Sequence, residues 1–415
     1  TPNQAEVQRL FDFLEFKSMA ARFREVQKLL GHSAADAVSE LSLQTENVQY
    51  LHAEVTVAVD VSAVLEVLGE DCVVDIAAQW AGDAGRSELL GISLNHHIEQ
   101  SSTMWIPVAL LRDPRISAAL SHCKFRAHDA KAMLRSLLGL GIDMQGLVFD
   151  TAIAAYLIDP AQSRYSLVDL VERYSSARFP DDDPATTGQL DLGGTAIDES
   201  QRAGRDCLAI AQVSKALAAA LQTHGMLTLY QEMENPLVRV LARMEHLGIA
   251  VDVVQLKSIA ARLTAEVGEL SLALQAVVGH PFNTNSPAQL GKILFEERGL
   301  TPPRKTKTGY STDVATLEKL RDSWPEFIDP LMRYREVEKL RGTYGEGLLS
   351  EVAADGRIHA TFNQTVTRTG RLSSDQPNLH NIPVRTEEGR IFRTAFVPSA
   401  GWRLMVADYN QIELR

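Results

Sequence analysis

Hydrophobic and polar positions change their spacing along the chain, and each change predicts a different kind of structure. Up to about Thr45 the runs LFDFLEF and AARFREVQKLL have the spacing of amphipathic helices. Short apolar or alternating runs that predict strands then follow, namely LHAEVTVAVD, CVVDIA, ELLGISL, TMWIPVALL and LVFDTAIAAYLI. Helix-like VSAVLEVLGE, LRDPRISAALSH and DAKAMLRSLLGL lie between them, so residues 46–224 are predicted to form an α/β domain.

After residue 224 the apolar spacing becomes that of long helices. Asp252 is predicted to cap a helix with one continuous apolar stripe. The stripe consists of Leu256, Ile259, Leu263, Val267, Leu270, Leu274 and Val277. The next helix is predicted to have Ser286 as N-cap, Pro287 at its first position and Gln289 completing a capping box, with Gly299 as its stop.

Strands are predicted again after Gly356. The candidate segments are RIHATFNQT, FRTAFVPS and WRLMVADY, with a Gly-, Ser-, Asn- and Pro-rich turn region after the first. The pattern therefore divides the chain into a helical lead-in over 1–45, the α/β domain over 46–224, a helical subdomain over 225–345 and a final part over 346–415.

Composition is that of a globular protein with two or three domains, since 45% of the 415 residues are hydrophobic and 23% are charged. No apolar run approaches the roughly twenty residues that span a bilayer, and no signal peptide is visible. Cys72, Cys123 and Cys207 lie far apart, which predicts buried thiols in a reducing cytoplasm rather than a disulfide or a zinc site.

Charge is distributed unevenly between the two halves. The net charge of −12 argues at first against a nucleic-acid partner. Residues 301–415 hold 17 Lys and Arg against 15 Asp and Glu, so they carry +2 and the residues before them carry −14. This asymmetry predicts that any DNA is held by the back half.

The first candidate for chemistry is Asp408, which follows the apolar run LMVA and precedes the helix-compatible QIELR. A carboxylate at the rim of a sheet can bind a hard divalent cation that also contacts a phosphate. Nucleotidyl transfer uses two such metals, about 3.5–4 Å apart. An aspartate at this place also commonly caps the next helix, and Asp408 alone leaves both interpretations open.

The second candidate is the polar segment before Asp408, which has few acids and many turn residues. It contains Arg368, Arg371, Asn378, His380, Asn381 and Arg385. Side chains on turns point away from their own backbone, so they can donate to base edges or phosphates. A solvated polar loop has the same composition, and the residues alone do not choose between the two.

The runs TVTRTGRLSSDQPNLHNIPVRTEEGR and VADYNQIELR resemble the bacterial DNA polymerase I family, the family A DNA polymerases, at near-identity. NPLVRVLARMEHLGIAVD, FNTNSPAQLGKILFEERGL and YREVEKLRGTYGEGL are similar to the thumb of that family. The resemblance implies a right-hand polymerase architecture. An α/β exonuclease-like domain of the ribonuclease H-like fold, a helical thumb and the start of an α+β palm are expected, with the chain ending after motif A of the large fragment.

The resemblance also implies roles near the end of the chain. Asp408 matches the metal-binding aspartate of motif A, and Tyr409 would lend its backbone carbonyl to a metal. Glu413 matches the steric gate that rejects a ribose 2′-OH, and Tyr409 and Gln411 belong to the same nucleotide-binding set. The implied cofactor is Mg²⁺, with two ions in the complete active site, or Mn²⁺ in its place.

DNA contacts are implied for the polar segment. Arg371 matches the arginine that contacts the minor groove at the primer terminus, where the N3 and O2 acceptors are common to all base pairs. Asn378, His380 and Asn381 match positions that contact template and primer, and Arg385 belongs to the same set.

Further contacts are implied for the thumb-to-palm stretch, where Arg341 and Thr343 match positions that grip the duplex backbone. Two residues depart from the family pattern, because Asn410 replaces a usual serine and His380 replaces a common glutamine. Both can still donate hydrogen bonds, so altered contacts with retained activity are expected.

The front domain takes the place of the family's 3′–5′ proofreading exonuclease, which needs four carboxylates to hold two metals. The expected Asp-x-Glu pair has become Asp75 followed two positions later by Ala77. Met133 stands where another aspartate is expected, with Asp129 close by, and the last motif keeps its acid, Asp206, without its tyrosine. Asp75 and Asp206 thus form a degenerate site, and we predict that the domain does not proofread.

The function implied is template-directed primer extension in DNA replication and repair. Primer–template DNA and deoxynucleoside triphosphates are the expected partners of a monomeric, cytoplasmic, nucleoid-associated enzyme without membrane contacts. The alternative is a catalytically incomplete DNA-binding fragment, because the family's triphosphate-binding helix and second catalytic acid are absent from the sequence.

Overall fold

The computed structural model describes residues 49–69, 73–95, 101–180, 198–303, 305–306, 309–383 and 387–412. The helical lead-in predicted over 1–45 and the predicted thiol of Cys72 lie outside these residues. Within them, none of the helices is long and apolar enough to cross a membrane.

A mixed six-stranded sheet is the centre of the first domain. In chain order the strands of this domain are β1 (Gln49–Tyr50), β2 (Glu54–Val57), β3 (Val73–Trp80), β4 (Leu89–Asn95), β5 (Ser102–Pro107), β6 (Lys124–Ala127), β7 (Gly146–Asp150) and β8 (Ala177–Arg178). The sheet order is β2-β5-β4-β3-β6-β7, and β1 pairs separately with β8. Strand β4 is antiparallel to β3 and β5, and the other neighbours are parallel. The predicted α/β domain is confirmed.

Helices pack on this sheet as the alternation of runs predicts. They are α1 (Val61–Val67), α2 (Val108–Leu111), α3 (Pro114–His122), α4 (Ala130–Gly139), α5 (Thr151–Ile158), α6 (Leu167–Tyr174) and α7 (Glu199–Thr223). Helix α7 packs against β3 and β4. Gly204 allows its close approach to β5, because a Cβ there would lie 2.7 Å from the Thr103 hydroxyl.

Two apolar runs were wrongly predicted as single strands. LVFDTAIAAYLI divides at Asp150 into strand β7 and helix α5. The Asp150 carboxylate caps the helix by accepting from the backbone N–H groups of Ala152 and Ile153. Similarly, TMWIPVALL divides after Pro107 into β5 and α2. Both runs are apolar in strand and helix alike, so apolar spacing alone does not mark the boundary.

The predicted helical part of the chain follows, with long and short helices. They are α8 (Leu227–Leu229), α9 (Asn235–Leu247), α10 (Val253–Val278), α11 (Pro287–Gly291), α12 (Val314–Leu320), α13 (Pro325–Leu340), α14 (Gly347–Ser350) and α15 (Glu387–Thr394). Short π-helical segments occupy Tyr230–Glu234, Lys292–Glu297 and Arg341–Glu346, and 3₁₀ turns occupy Arg321–Ser323 and Leu379–Asn381. Asp252 caps α10 as predicted, with its side chain 2.9 Å from the Gln255 N–H.

The cap of α11 is only half as predicted. Ser286 caps the helix and accepts from the Gln289 N–H at 3.3 Å. The Gln289 side chain, however, accepts from the Asn283 N–H at 2.7 Å, and the Ser286 N–H donates to the Asn283 carbonyl. The reciprocal bond of a capping box is therefore made one turn earlier in the chain. Gly299 ends the segment with φ +72°, as predicted.

The hydrophobic cores do not change at residue 224. Tyr230, Val238 and Ala242 belong to the core of the α/β domain, so α9 packs with that domain. Helix α10 contributes to two further cores, one with α13 and α15 and one with α12 and α13. The division into 1–45, 46–224, 225–345 and 346–415 remains a prediction.

Short strands return after Gly356, as predicted for RIHATFNQT. They are β12 (Arg357–Ile358), β13 (Thr361–Asn363) and β14 (Ser373–Asp375), and three short strands precede them, namely β9 (Ile249–Ala250), β10 (Lys305–Thr306) and β11 (Gly309–Tyr310). Strands β13 and β14 form an antiparallel hairpin, and β12 pairs with β9.

Two further strand predictions were wrong. Part of FRTAFVPS lies in helix α15, and WRLMVADY, residues 402–409, forms no strand. A strand needs a neighbour for its backbone N–H and C=O groups, and no strand among the described residues lies beside this segment.

Candidate nucleic-acid interface and exonuclease-like cleft

The segment that carries Asp408 is exposed throughout residues 401–412. Asp408 lies in a segment without helix or strand, which corrects its predicted place at the end of a strand. Apolar side chains that a sheet would bury are open, with Met405 88% and Val406 93% exposed. The Tyr409 side chain is also exposed, and Gln411 adopts φ +55°. The predicted steric gate, Glu413, lies outside the described residues.

The oxygen ligands near Asp408 do not make a complete metal site. No group of three or more His, Cys, Asp or Glu that could hold a metal occurs in the described part of the chain. Magnesium takes about six oxygen ligands in octahedral geometry. The Asp408 carboxylate and the Tyr409 carbonyl supply two kinds of ligand, so no catalytic step through a metal follows from this geometry.

The 3₁₀ turn after β14 brings three predicted DNA contacts together. Asn378 caps the turn, and its side-chain oxygen accepts from the Asn381 N–H at 3.3 Å. The His380 ring lies 5.9 Å from the ring of Phe362 on β13. Asn378, His380 and Asn381 are all exposed, as is Arg371 in the hairpin loop. Arg385 lies outside the described residues.

The π-helical segment Arg341–Glu346 contacts this turn. The Tyr344 hydroxyl donates to the Asn381 carbonyl, so the helix end with Arg341 and exposed Thr343 is joined to the turn. Arg341 already has carboxylate partners: Glu338 accepts at 2.7 and 2.9 Å, and Glu346 accepts as well. These bonds, that of Glu338 first, raise the pKa of Arg341. A phosphate would therefore compete with two carboxylates for this guanidinium.

In the exonuclease-like domain, Asp75 is paired with an arginine. Both carboxylate oxygens accept from Arg126 on the neighbouring strand β6, each at 2.8 Å, and the Asp75 side chain is 1% exposed. Burial raises the pKa of Asp75 to about 6, against the lowering effect of the hydrogen bonds and charge of Arg126. The guanidinium thus occupies the carboxylate edge that a metal would need.

The second predicted acid, Asp206, lies apart from that pair. It lines a cavity of about 370 Å³ together with Ala77 and Asp129, and it accepts from the Gln79 side chain at 3.2 Å. Met133, where an aspartate was expected, is buried in the core and also lines the cavity. Within the described residues no third carboxylate joins Asp129 and Asp206 in the lining.

A buried polar cluster beside the cavity was missed from the sequence. Asp150 accepts from the Ala130 N–H at 2.8 Å as well as capping α5, and burial, aided by Asp129, raises its pKa to about 6. His128 bonds to the Thr151 hydroxyl at 2.8 Å, and burial lowers its pKa to about 4. The Asp-Thr pair that follows a strand and precedes an apolar run is the sequence signal that predicts such a cap.

Comparisons with known proteins agree with this arrangement. Residues 253–415 match the DNA polymerase family A model, and residues 85–184 match the DNA polymerase I ribonuclease H-like domain model. The chain is 35% identical over its whole length to DNA polymerase I of Bacillus subtilis and covers 45% of that protein. It is 42% identical over 74% of its length to DNA polymerase I of Mycobacterium tuberculosis and covers 34% of it.

A solved structure of a relative has a similar fold. It is described as the POL domain of Pol1 from M. smegmatis in complex with DNA primer–template and dNTP. The TM-score is 0.71 at 32% identity, over 86% of this chain and 61% of that one. The chain thus spans less than half the length of the curated relatives above. Together, the two family models, the homology along this chain and the shared fold show that residues 253–415 belong to DNA polymerase family A and that residues 85–184 belong to a ribonuclease H-like domain of the DNA polymerase I type.

Proposed function

We propose that the protein of which this sequence is part extends a DNA primer on a template with deoxynucleoside triphosphates. The observation that carries the proposal is the surface formed by Arg371, Asn378, His380 and Asn381, which Tyr344 joins to the helix end bearing Arg341. Its exposed arginine and amide groups suit phosphates and the base-edge acceptors of the minor groove. A relative solved with primer–template and dNTP supports this assignment.

Asp408 is proposed as a ligand of the catalytic divalent metal, which we take to be Mg²⁺, with Mn²⁺ able to replace it. Tyr409 would add its backbone carbonyl, and Glu413 would exclude a ribose 2′-OH. Two-metal nucleotidyl transfer needs further carboxylate ligands beyond Asp408. A monomeric state and a bacterial cytoplasmic location near the nucleoid, with roles in replication and repair, are proposed from the family alone.

The ribonuclease H-like domain is proposed to lack 3′–5′ proofreading activity. Asp75 is engaged by Arg126, Ala77 stands where a second acid is expected, and Asp206 lies apart in the cavity lining. Magnesium-dependent removal of a mismatched 3′ end by the full-length natural protein would contradict this proposal. The matched control is Asp75→Asn with Asp206→Asn, which should leave the background cleavage unchanged.

Primer extension by the full-length protein tests the polymerase proposal. Asp408→Ala should abolish extension and leave primer–template binding largely unchanged, because the Asp408 side chain is exposed. Asp322→Ala, at an aspartate outside the proposed site, is the matched control. Undiminished extension by Asp408→Ala would refute the role of this carboxylate.

A DNA-binding protein without catalysis is the second candidate, favoured by the absence of a three-ligand metal cluster among the described residues. The two candidates differ in one measurement. Tight primer–template binding by wild-type full-length protein, with no incorporation of dNTP in Mg²⁺ or Mn²⁺, would establish the second and exclude the first.

A further inference from the structure

Arg86 reaches from the exonuclease-like domain to the β13–β14 hairpin. Its Nη2 donates to the Thr361 hydroxyl at 2.8 Å, to the Gln376 carbonyl at 2.9 Å and to the His359 carbonyl at 3.1 Å. Its Nε also donates to the Thr361 hydroxyl, at 3.3 Å. Thr361 begins β13, and Gln376 directly follows β14. One side chain therefore holds both strands of the hairpin.

The turn that presents Arg86 is itself held in place. The Arg86 and Ser87 N–H groups donate to the Asp83 carbonyl at 3.1 and 2.9 Å, and the Ser87 hydroxyl donates to the same carbonyl at 2.8 Å. The turn connects β3 and β4, two central strands of the six-stranded sheet. The guanidinium is thus presented by a hydrogen-bonded turn between two central strands.

A second contact runs through Glu245 on α9, whose side chain is 2% exposed. Its carboxylate pairs with Lys131 and with Arg135 of α4, and it also accepts from the Phe362 N–H of β13 at 2.8 Å. A buried carboxylate with two cations and a backbone donor is fully satisfied, so it fixes the three elements it joins.

A third contact reaches the loop of the hairpin. The Tyr156 hydroxyl on α5 donates to the Thr367 carbonyl at 2.9 Å. The Thr367 hydroxyl in turn donates to the Arg371 carbonyl. The backbone of Arg371, the proposed minor-groove contact, is therefore two hydrogen bonds away from the exonuclease-like domain.

We propose that the exonuclease-like domain positions the primer–template-binding hairpin, with Arg86, Glu245 and Tyr156 as positioning residues. This inference rests on the proposed function. Gln376 supports it, because its φ of +47° lies in the left-handed region, which is unfavourable for a residue with a side chain. Arg86 binds the carbonyl of this strained residue, two positions before Asn378. Positioning the hairpin requires none of the carboxylates predicted for the exonuclease site.

The test uses Arg86→Ala and Arg86→Lys in the full-length protein, with Arg115→Ala as the matched control. Arg115 is an exposed arginine of the same domain whose partner, Asp113, is two residues away. Hydrogen exchange of residues 361–376 is measured without DNA, and the Kd for primer–template and the KM for dNTP are measured separately. Tyr156→Phe is a milder variant that removes one hydroxyl donor.

We expect Arg86→Ala to raise exchange in 361–376 and to raise the primer–template Kd about tenfold, since it removes charge-assisted bonds to three acceptors. Arg86→Lys should show smaller increases in exchange and in the primer–template Kd than Arg86→Ala. The KM for dNTP should stay within roughly twofold of the wild-type value in both variants. Tyr156→Phe should raise exchange only around Thr367. Each of these effects should be absent in Arg115→Ala.

Unchanged exchange in Arg86→Ala, or an equal effect of Arg115→Ala, would overturn the proposal. Raised exchange with an unchanged primer–template Kd would also overturn it, because the hairpin would then be anchored without consequence for DNA. Failure of the wild type to bind primer–template would refute the proposed function instead. In that case exchange would still show whether Arg86 anchors the hairpin.

Discussion

Arg126→Met is predicted to make the stability of the exonuclease-like domain fall with pH above pH 6. Asp75 is almost fully buried, and Arg126 is its bidentate partner at 2.8 Å. Burial raises the pKa of Asp75 from 3.8 to about 6 although Arg126 acts to lower it. Methionine keeps most of the aliphatic packing and removes the charge, so the pKa of Asp75 in the folded state should rise further.

The magnitude follows from the protonation of Asp75 in each state. In the wild type, the stabilisation from the protonated form is complete below about pH 4, is lost as pH rises through about 6, and changes no further above that. In the variant, the folded chain keeps its proton above pH 6 while the unfolded chain has released it. Each pH unit then costs about 1.4 kcal/mol. The deficit of the variant should therefore grow by about 3 kcal/mol between pH 6 and pH 8, within the range for breaking a buried ion pair.

The assay is urea unfolding at pH 6, 7 and 8, with hydrogen exchange of peptides from β3 and β6 as the local readout. Arg115→Met, at an exposed pair of the same domain, should show no such trend. The double variant Asp75→Asn with Arg126→Met has no carboxyl to titrate and should lose the added slope. A deficit that is equal at pH 6 and pH 8 would refute the account of a stranded carboxyl.

Five other substitutions test the proposed DNA contact, the helical core and the cap of α10. Arg341→Ala should weaken primer–template binding several-fold and reduce the salt slope by about one. Glu346→Gln should instead tighten binding, because it frees Arg341 from one carboxylate. Titrations of primer–template at three salt concentrations measure the affinity and the salt slope of each variant. Leu274→Ala, at a side chain with no exposed surface, should cost about 2–5 kcal/mol in urea unfolding. Leu272→Ala on the same helix, at a mostly exposed side chain, should stay within about 0.5 kcal/mol, and equal effects would contradict the burial argument. Asp252→Ala should cost about 1 kcal/mol and speed exchange in the first turn of α10, and unchanged exchange there would contradict the cap.

Features set by near neighbours in the chain were predictable. The cap at Asp252 and the stop at Gly299 depend on residues within one or two helical turns, and both occur as expected. The strands of the buried sheet are also visible as apolar runs. Their order is not, because β3 pairs with β6 and β2 pairs with β5 through contacts between residues far apart in sequence. The division of LVFDTAIAAYLI at Asp150 was missed because both halves are apolar.

The candidate site shows the same limit. Motif resemblance identified Asp75 and Arg341 as side chains of interest, but it could not supply their partners. Arg126 lies on the neighbouring strand of the sheet and pairs with Asp75. Glu346 lies about one helical turn after Arg341 and pairs with it. Each partner changes what the predicted residue beside it can bind. Asp408 fails as a strand end for a related reason, since a strand forms only where a neighbour supplies hydrogen bonds.

Helix α9 is fastened to the exonuclease-like domain along its whole length. Asn235 donates to the Leu147 carbonyl near its start, and Glu245 pairs with α4 near its end. Thirteen helical residues make a rigid rod about 20 Å long, which must turn together with that domain. Any rotation of the later helices relative to the exonuclease-like domain therefore has to occur beyond Leu247. Gly248 is the first residue beyond Leu247, and its φ is +61°. A Cβ at this position would lie 2.8 Å from the Ile358 carbonyl oxygen. A side chain here would therefore both restrict the backbone between α9 and α10 and displace β12.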